Sequence, residues 1–351
     1  MDKSVKNFYL GNVYSHLGDE ESRFLFEKRL CYSLTNDLQR MIHAINKQIN
    51  VPVIHTINEQ ISALCKIKEK FFIFGSGIWG HSIFYAFSEV CWCAFIDNDS
   101  TKVGRQDVLS IISFQEFIEN SKNAVVFISS PVYVNEMKQQ LIDNGFSEDS
   151  IVLPFFLSFG TQYFDIQYFK PQKNEFFIDA GDYNGCSTID FFKWLGDYET
   201  NGKSIIFEPN LISYNIVEKR FKDCDNVKIV NKGLWHKNET LKFCKMGGAS
   251  HIDSSGEEII EVISLDEYLK DEKEPVTFIK MDIEGAELNA LKGAEQTIKK
   301  YKPKLAISIY HKPEDVWEIP NLLLEFVPDY KFYIRHYSLS CFETVLYALH
   351  K

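Results

Sequence analysis

Residues 276–287 read VTFIKMDIEGAE. Val276 to Ile279 is a short run of β-branched and apolar residues, which suits a strand buried on both faces better than a helix. Polarity then sets in, and Gly285 with its neighbours forms a turn leading into a helical pattern. A buried strand, a turn and a helix make the repeating unit of a parallel sheet, whose ligands bind beyond the carboxyl ends of the strands. Asp282 stands at such an end.

Four further runs flank this one: EFFIDAG (175–181), SIIFE (204–208), VKIVNKG (227–233) and KLAISIY (304–310). Helices fit between most of them. YKFYIRHYS (330–338) and CFETVLYAL (341–349) are β-rich and suit a terminal hairpin at one sheet edge. Upstream, KFFIFG (70–75), WCAFIDND (92–99), AVVFIS (124–129) and IVLPF (151–155) alternate with helical segments on a smaller scale. Before them, residues 20–49 carry apolar residues at three and four spacing, a helical pattern interrupted near Pro52. The fold class is therefore α/β, with two tandem Rossmann-like domains preceded by an N-terminal helical segment. The expected boundaries are 1–65, 66–160 and 161–351.

The chain has 351 residues, 45% of them hydrophobic and 25% charged, which is globular composition for about two domains. Lys and Arg number 38 against 49 Asp and Glu, a net charge of −11. That balance argues against nucleic acid as a main partner. No apolar run reaches the length of a membrane span, and residues 1–20 lack the apolar core of an export signal. A cytoplasmic location with reduced cysteines is expected. Cys91 and Cys93 share a strand face and are expected to be small packing residues.

Asp179, Gly181 and Gly185 form D-x-G-x-x-x-G after the strand EFFI, a loop whose backbone N–H groups a ligand can approach closely. Glu208, at the tip of the next strand, is placed to take both hydroxyls of a ribose. Asp282 and His311 end two other strands of the same sheet, so four polar residues converge on one edge. Glu284 and Glu287 suit the positive end of the next helix. Asp266 is expected to cap the helix EYLKD (267–271).

With these residues in view, 171–351 resembles the FkbM-type family of S-adenosylmethionine-dependent methyltransferases. The resemblance rests on FFIDAGDYNGCST, FEPN, SLDEYL, FIKMDIEGAELNALKGAEQTI and KPKLAISIYH. It implies a seven-strand methyltransferase sheet, S-adenosylmethionine as cofactor, and methyl transfer to a hydroxyl of a sugar, glycan precursor or secondary metabolite. By position, Asp179, Gly181, Tyr183, Asn184 and Gly185 would form the cofactor loop. Glu208 would hold the ribose, Asn231 and Gly233 would lie beside the adenine, and Asp282 near the sulfonium. Asp182 departs from the family's small residue and would face the cofactor's cation or solvent. An alcohol needs a base, and histidine titrates near neutrality. His311 is therefore expected to be the base and Asp282 the orienting group. No metal is expected, although a carboxylate beside an imidazole suits a divalent ion.

In the first domain, Gly75, Gly77 and Gly80 fit G-x-G-x-x-G, and Asp97 ends the next strand. This segment resembles nucleotide-sugar-binding Rossmann domains. Either it takes a nicotinamide or nucleotide-sugar ligand, or it is a packing module. The first option carries the alternative function, a reductase, epimerase or recognition protein. Oligomeric state is open at this stage.

Overall fold

Phe71–Phe74 is buried at every position because it lies between two parallel neighbours and carries a core on each face. Phe71 and Ile73 pack with Ile83 and Phe87 on one side. Phe72 and Phe74 pack with Phe117, Met137 and Leu141 on the other. The computed structural model that shows this describes residues 3–48, 61, 63–64, 68–121, 123–154, 162–244, 251–252, 256 and 258–350. The expected break at Pro52, and the boundaries at 65/66 and 160/161, lie outside the described residues.

The chain divides into two units. One comprises Leu34–Gly160 with Tyr337–Phe342. Its sheet is wholly parallel, in the order Ile111–Ser113, Trp92–Asp97, Phe71–Phe74, Val125–Ile128, Ile151–Val152. Leu339 joins the Ile83 core, and Ser82 Oγ donates to Ser340 Oγ at 2.9 Å. Cys91 and Cys93 are exposed, not packed: the strand starts at Trp92, and it is the indole that turns inward onto Phe127.

The other unit comprises Met1–Ser33, Thr161–His336 and Glu343–Lys351. Its seven strands run Lys331–His336, Thr344–Leu349, Lys304–Ser308, Phe278–Met281, Glu175–Ala180, Gly202–Phe207, Val227–Val230. The first two are the antiparallel hairpin and the rest are parallel. One face is aromatic: Phe164, Phe177, Phe191, Trp194 and Phe278 meet with ring centroids 4.6–6.3 Å apart. At the amino ends of the strands, buried Lys304 bonds buried Glu175 at 2.6 Å.

The expected three-part division is distributed differently. The helix Lys3–His16 and most of Glu20–Thr35 belong with the seven-strand sheet, while Leu38–Gln48 belongs with the five-strand sheet. The reason is the sheet's outer edge. Ile334 N donates to Ser22 Oγ at 2.9 Å, and Arg335 pairs with Asp19 at 2.7 Å and Glu21 at 3.2 Å. The N-terminal helices thus satisfy an edge strand's backbone.

A further four-stranded sheet, in the order His251–Ile252, Glu239–Cys244, Glu258–Ile263, Gly233–Leu234, lies outside the sequence expectation. Ser264, not Asp266, caps the helix Leu265–Tyr268. Asp266 instead accepts from Gln296 N and Thr297 N at 2.9 and 2.8 Å, at the start of the next long helix, Glu295–Tyr301.

Candidate active site

The carboxyl edge of the seven-strand sheet is built around one buried ion pair. Asp179 and Lys280 are register neighbours on adjacent strands, and Lys280 Nζ lies 3.1 Å from Asp179 Oδ1. Lys280 also donates to Gly181 O at 2.8 Å, which fixes the loop. Asp179 Oδ2 accepts from Ser187 and Thr188 hydroxyls at 2.6 and 2.9 Å, tying the strand end to the helix Cys186–Asp197. Asp179 is fully buried and works as this tie.

Gly181 has φ +82, and a Cβ there would overlap Asp282 O. Only glycine lets the two strand ends approach so closely. Gly181→Ala is expected to cost about 2–4 kcal/mol, a fall in Tm of roughly 5–15 °C by calorimetry.

Asp182 does not face solvent. It is buried, and it accepts from Gly185 N at 2.9 Å and Thr188 N at 3.2 Å. Burial and the nearby Asp179 push its carboxyl up to about 7.

A pocket opens beside this edge, lined by Gly181, Tyr183, Glu208, Asn210, Gly233, Asp282, Ile283 and Glu284. Phe243, Ile252 and Ile260 of the four-stranded sheet line it too. Sequence reading missed those three; the alternation in Leu241, Phe243 and in Ile260, Val262 was the available signal. Glu208 accepts from Asn210 N at 2.8 Å, and burial pushes its carboxyl up to about 7. Asn231 stands behind the pocket, donating to Glu208 O and Pro209 O at 2.9 and 3.2 Å. Asn184 and Gly185 likewise support the loop, Asn184 Oδ1 accepting from Cys186 N at 3.1 Å.

Asp282 is the most heavily contacted group at the edge. It accepts from Tyr163 OH at 2.8 Å and Tyr310 OH at 3.0 Å, and His311 Nε2 lies 3.5 Å away. Burial pushes its carboxyl up, but His311 and Lys280 outweigh this and hold it below the usual carboxylate range. Tyr163 comes from the connecting segment, where no sequence motif marked it, and it has φ +79. His311 is set among three carboxylates: Glu287 at 2.9 Å, Glu284 at 3.4 Å and Asp282 at 3.5 Å. Burial pushes its imidazole down, yet Glu287, Glu284 and Asp282 raise it well above its ordinary value.

The sheet order, the glycine turn and the acidic strand tips are those of a methyltransferase, and residues 179–334 match the family model described as the methyltransferase FkbM domain. Residues 179–334 thus carry a methyltransferase FkbM domain. No curated protein matches the chain by sequence. Among solved structures, it is similar to methyltransferase FkbM from Methylobacillus flagellatus KT at 19% identity and TM-score 0.49. That likeness covers 90% of this chain and 100% of the other. A fibrillarin from Aeropyrum pernix, in complex with natively bound S-adenosyl-L-methionine, is similar at 10% identity and TM-score 0.33. It covers 51% of this chain and 67% of that one. An rRNA methylase from Streptococcus thermophilus is similar at 17% identity and TM-score 0.32, covering 51% and 88%.

In the FkbM domain, then, Gly181, Tyr183, Glu208, Gly233, Asp282 and Glu284 share a pocket. Asp179, Asn184, Gly185 and Asn231 brace it, and Glu287 and His311 stand beside Asp282. No described helix is long and apolar enough to cross a membrane.

The five-strand unit has its own pocket, lined by Gly75, Ser76, Gly77, Trp79, Asp97, Lys102 and Tyr133 among others. Asp97 spends its carboxylate internally, on Ser76 N at 3.0 Å, Ser76 Oγ at 2.5 Å and Asp99 N at 2.9 Å. A Cβ at Gly80 would overlap Gly75 O, so that glycine serves helix–strand packing. Gly77 faces open space.

Proposed function

We propose that the pocket binds S-adenosylmethionine and that the chain transfers its methyl group to a hydroxyl oxygen of a sugar, glycan precursor or related small molecule. The observation that carries this is one pocket holding the glycine turn, Glu208 and Asp282 together. Glu208 accepts the ribose hydroxyls, and the apolar wall of Phe243, Ile252 and Ile260 takes the adenine. Tyr183, half exposed at the rim, and the surrounding carboxylates favour the sulfonium cation.

Methyl transfer is an in-line displacement, so the site's main task is alignment. The acceptor oxygen attacks the methyl carbon, the carbon–sulfur bond breaks, and sulfur keeps the electron pair. Asp282, not His311, lines the pocket, so we assign Asp282 the contact with the acceptor hydroxyl and its proton. His311, 3.5 Å away, holds that carboxylate in place. This exchanges the two roles expected from sequence.

Titration calorimetry with S-adenosylhomocysteine tests the cofactor assignment. Wild type is expected to bind at micromolar Kd, and Glu208→Ala to bind roughly 30–1,000-fold more weakly, the worth of two charge-assisted hydrogen bonds. Unchanged binding in the variant would remove Glu208 from the site. The pH dependence has a defined sign. Below pH 7 the Glu208 carboxyl holds a proton that it must lose to accept both hydroxyls. Affinity should therefore rise with pH, by up to about tenfold per unit between pH 5 and 7, and level off above. Glu208→Gln should abolish that slope.

The first unit's pocket supports a subsidiary reading, a recognition site for a small ligand. Asp97's internal bonds weigh against it holding a ribose.

A further inference from the structure

Asp282 leaves a chemical gap. Tyr163 and Tyr310 already donate to its two oxygens, so it is a weak acceptor for an alcohol's proton. The groups around it suggest what fills the gap. Asp282, Glu287 and His311 each offer one donor atom, all within 4.8 Å of one another. Glu284 Oε2 adds a third carboxylate 3.4 Å from His311 Nε2. Two of them are deeply buried: the His311 side chain is 8% exposed and that of Glu287 is 0%.

Two independent facts mark this cluster as a place for a cation. First, Glu287 Oε2 is buried and makes no hydrogen bond, and both His311 nitrogens meet only carboxylates. Groups of that kind, kept from water, each cost free energy unless something binds them. Second, the charge does not balance. Three carboxylates, Asp282, Glu284 and Glu287, stand within 3.5 Å of a single imidazole. Lys280 is committed to Asp179 and Gly181, and Lys312 to Gly285 O.

We propose that Asp282, Glu287 and His311 bind a divalent cation, with Glu284 at its open side, and that this cation receives the acceptor hydroxyl. Carboxylates with one imidazole suit Mn²⁺, Mg²⁺ or Zn²⁺. The ion takes the place of the imidazolium proton, since a ligating histidine must be neutral. Asp282 and Glu284 both line the pocket, so the ion's remaining positions face it. There it lowers the hydroxyl's pKa enough for Asp282 to take the proton, and the alkoxide displaces the sulfonium's methyl. The cation site stands on these residues alone; only its acceptor role rests on the methyl-transfer reading.

The test is Mn²⁺ titration calorimetry of the full chain after dialysis against EDTA, without cofactor or acceptor. One Mn²⁺ per chain is expected, with affinity lowered at least tenfold in both Glu287→Gln and His311→Ala. Circular dichroism confirms that each variant is folded. If one unfolds, the wild-type chain's own rise in Tm with added Mn²⁺ is the second measurement, and a flat Tm overturns the proposal. It is also overturned if wild type takes up none of Mn²⁺, Mg²⁺ or Zn²⁺ at millimolar concentration, or if both folded variants bind as wild type does. S-adenosylhomocysteine binding in EDTA is scored separately. Its failure alongside intact Mn²⁺ binding would sink the cofactor reading and leave the cation site standing.

Discussion

Asp282→Asn is expected to lower the rate of methyl transfer by roughly 10²–10⁴-fold, the usual worth of a positioned proton-handling group. S-adenosylhomocysteine affinity should change by less than about tenfold, because Glu208 and the glycine turn are untouched. The substitution keeps the side chain's shape, and one oxygen can still accept from Tyr163 or Tyr310. Release of S-adenosylhomocysteine, with whichever hydroxylated acceptor wild type turns over, measures the rate. An Asn variant with wild-type turnover would remove Asp282 from the chemistry. Tyr163→Phe offers a graded companion. It removes one bond to Asp282, and so should raise that carboxyl's pKa while leaving cofactor affinity in place.

The largest stability effect is expected far from the pocket. Lys304→Ala should destabilise the seven-strand unit by about 3–5 kcal/mol, because it leaves Glu175 buried without its cation. Glu175 also accepts from Gln172 N and from Thr277, whose hydroxyl oxygen in turn accepts from Phe176 N at 2.8 Å, so a network frays with it. Denaturant unfolding of the variant beside Lys304→Ala/Glu175→Gln decides the cause. Recovery of about half the loss or more in the double variant would assign the cost to the stranded charge. No recovery would assign it to the lost lysine stem.

Much of the site could be read from strand ends. FFIDAG, SIIFE, FIKMD and KLAISIYH are continuous apolar runs, and such runs fold as parallel strands buried on both faces. Once they are parallel, their last residues must share an edge. That places Asp179, Glu208, Asp282 and His311 together with no knowledge of side-chain direction. Gly181 was equally legible, because a tight turn after a buried strand calls for a residue that tolerates positive φ.

The sequence by itself therefore determined the α/β class, the hairpin at the sheet edge and the residues gathered along one rim. Local pattern dictates these: periodicity, turn chemistry and the direction of a parallel sheet. Tertiary structure alone decided what each rim residue does. Asp179 turns inward to Lys280, Asp97 closes on Ser76 of the preceding strand's loop, and Asp266 caps a helix 30 residues downstream. Tyr163 arrives from a connecting segment to bond Asp282, and three carboxylates surround His311. Each of these follows from burial and long-range proximity. A residue's charge and partners depend on groups distant in sequence, and no short window of sequence contains them.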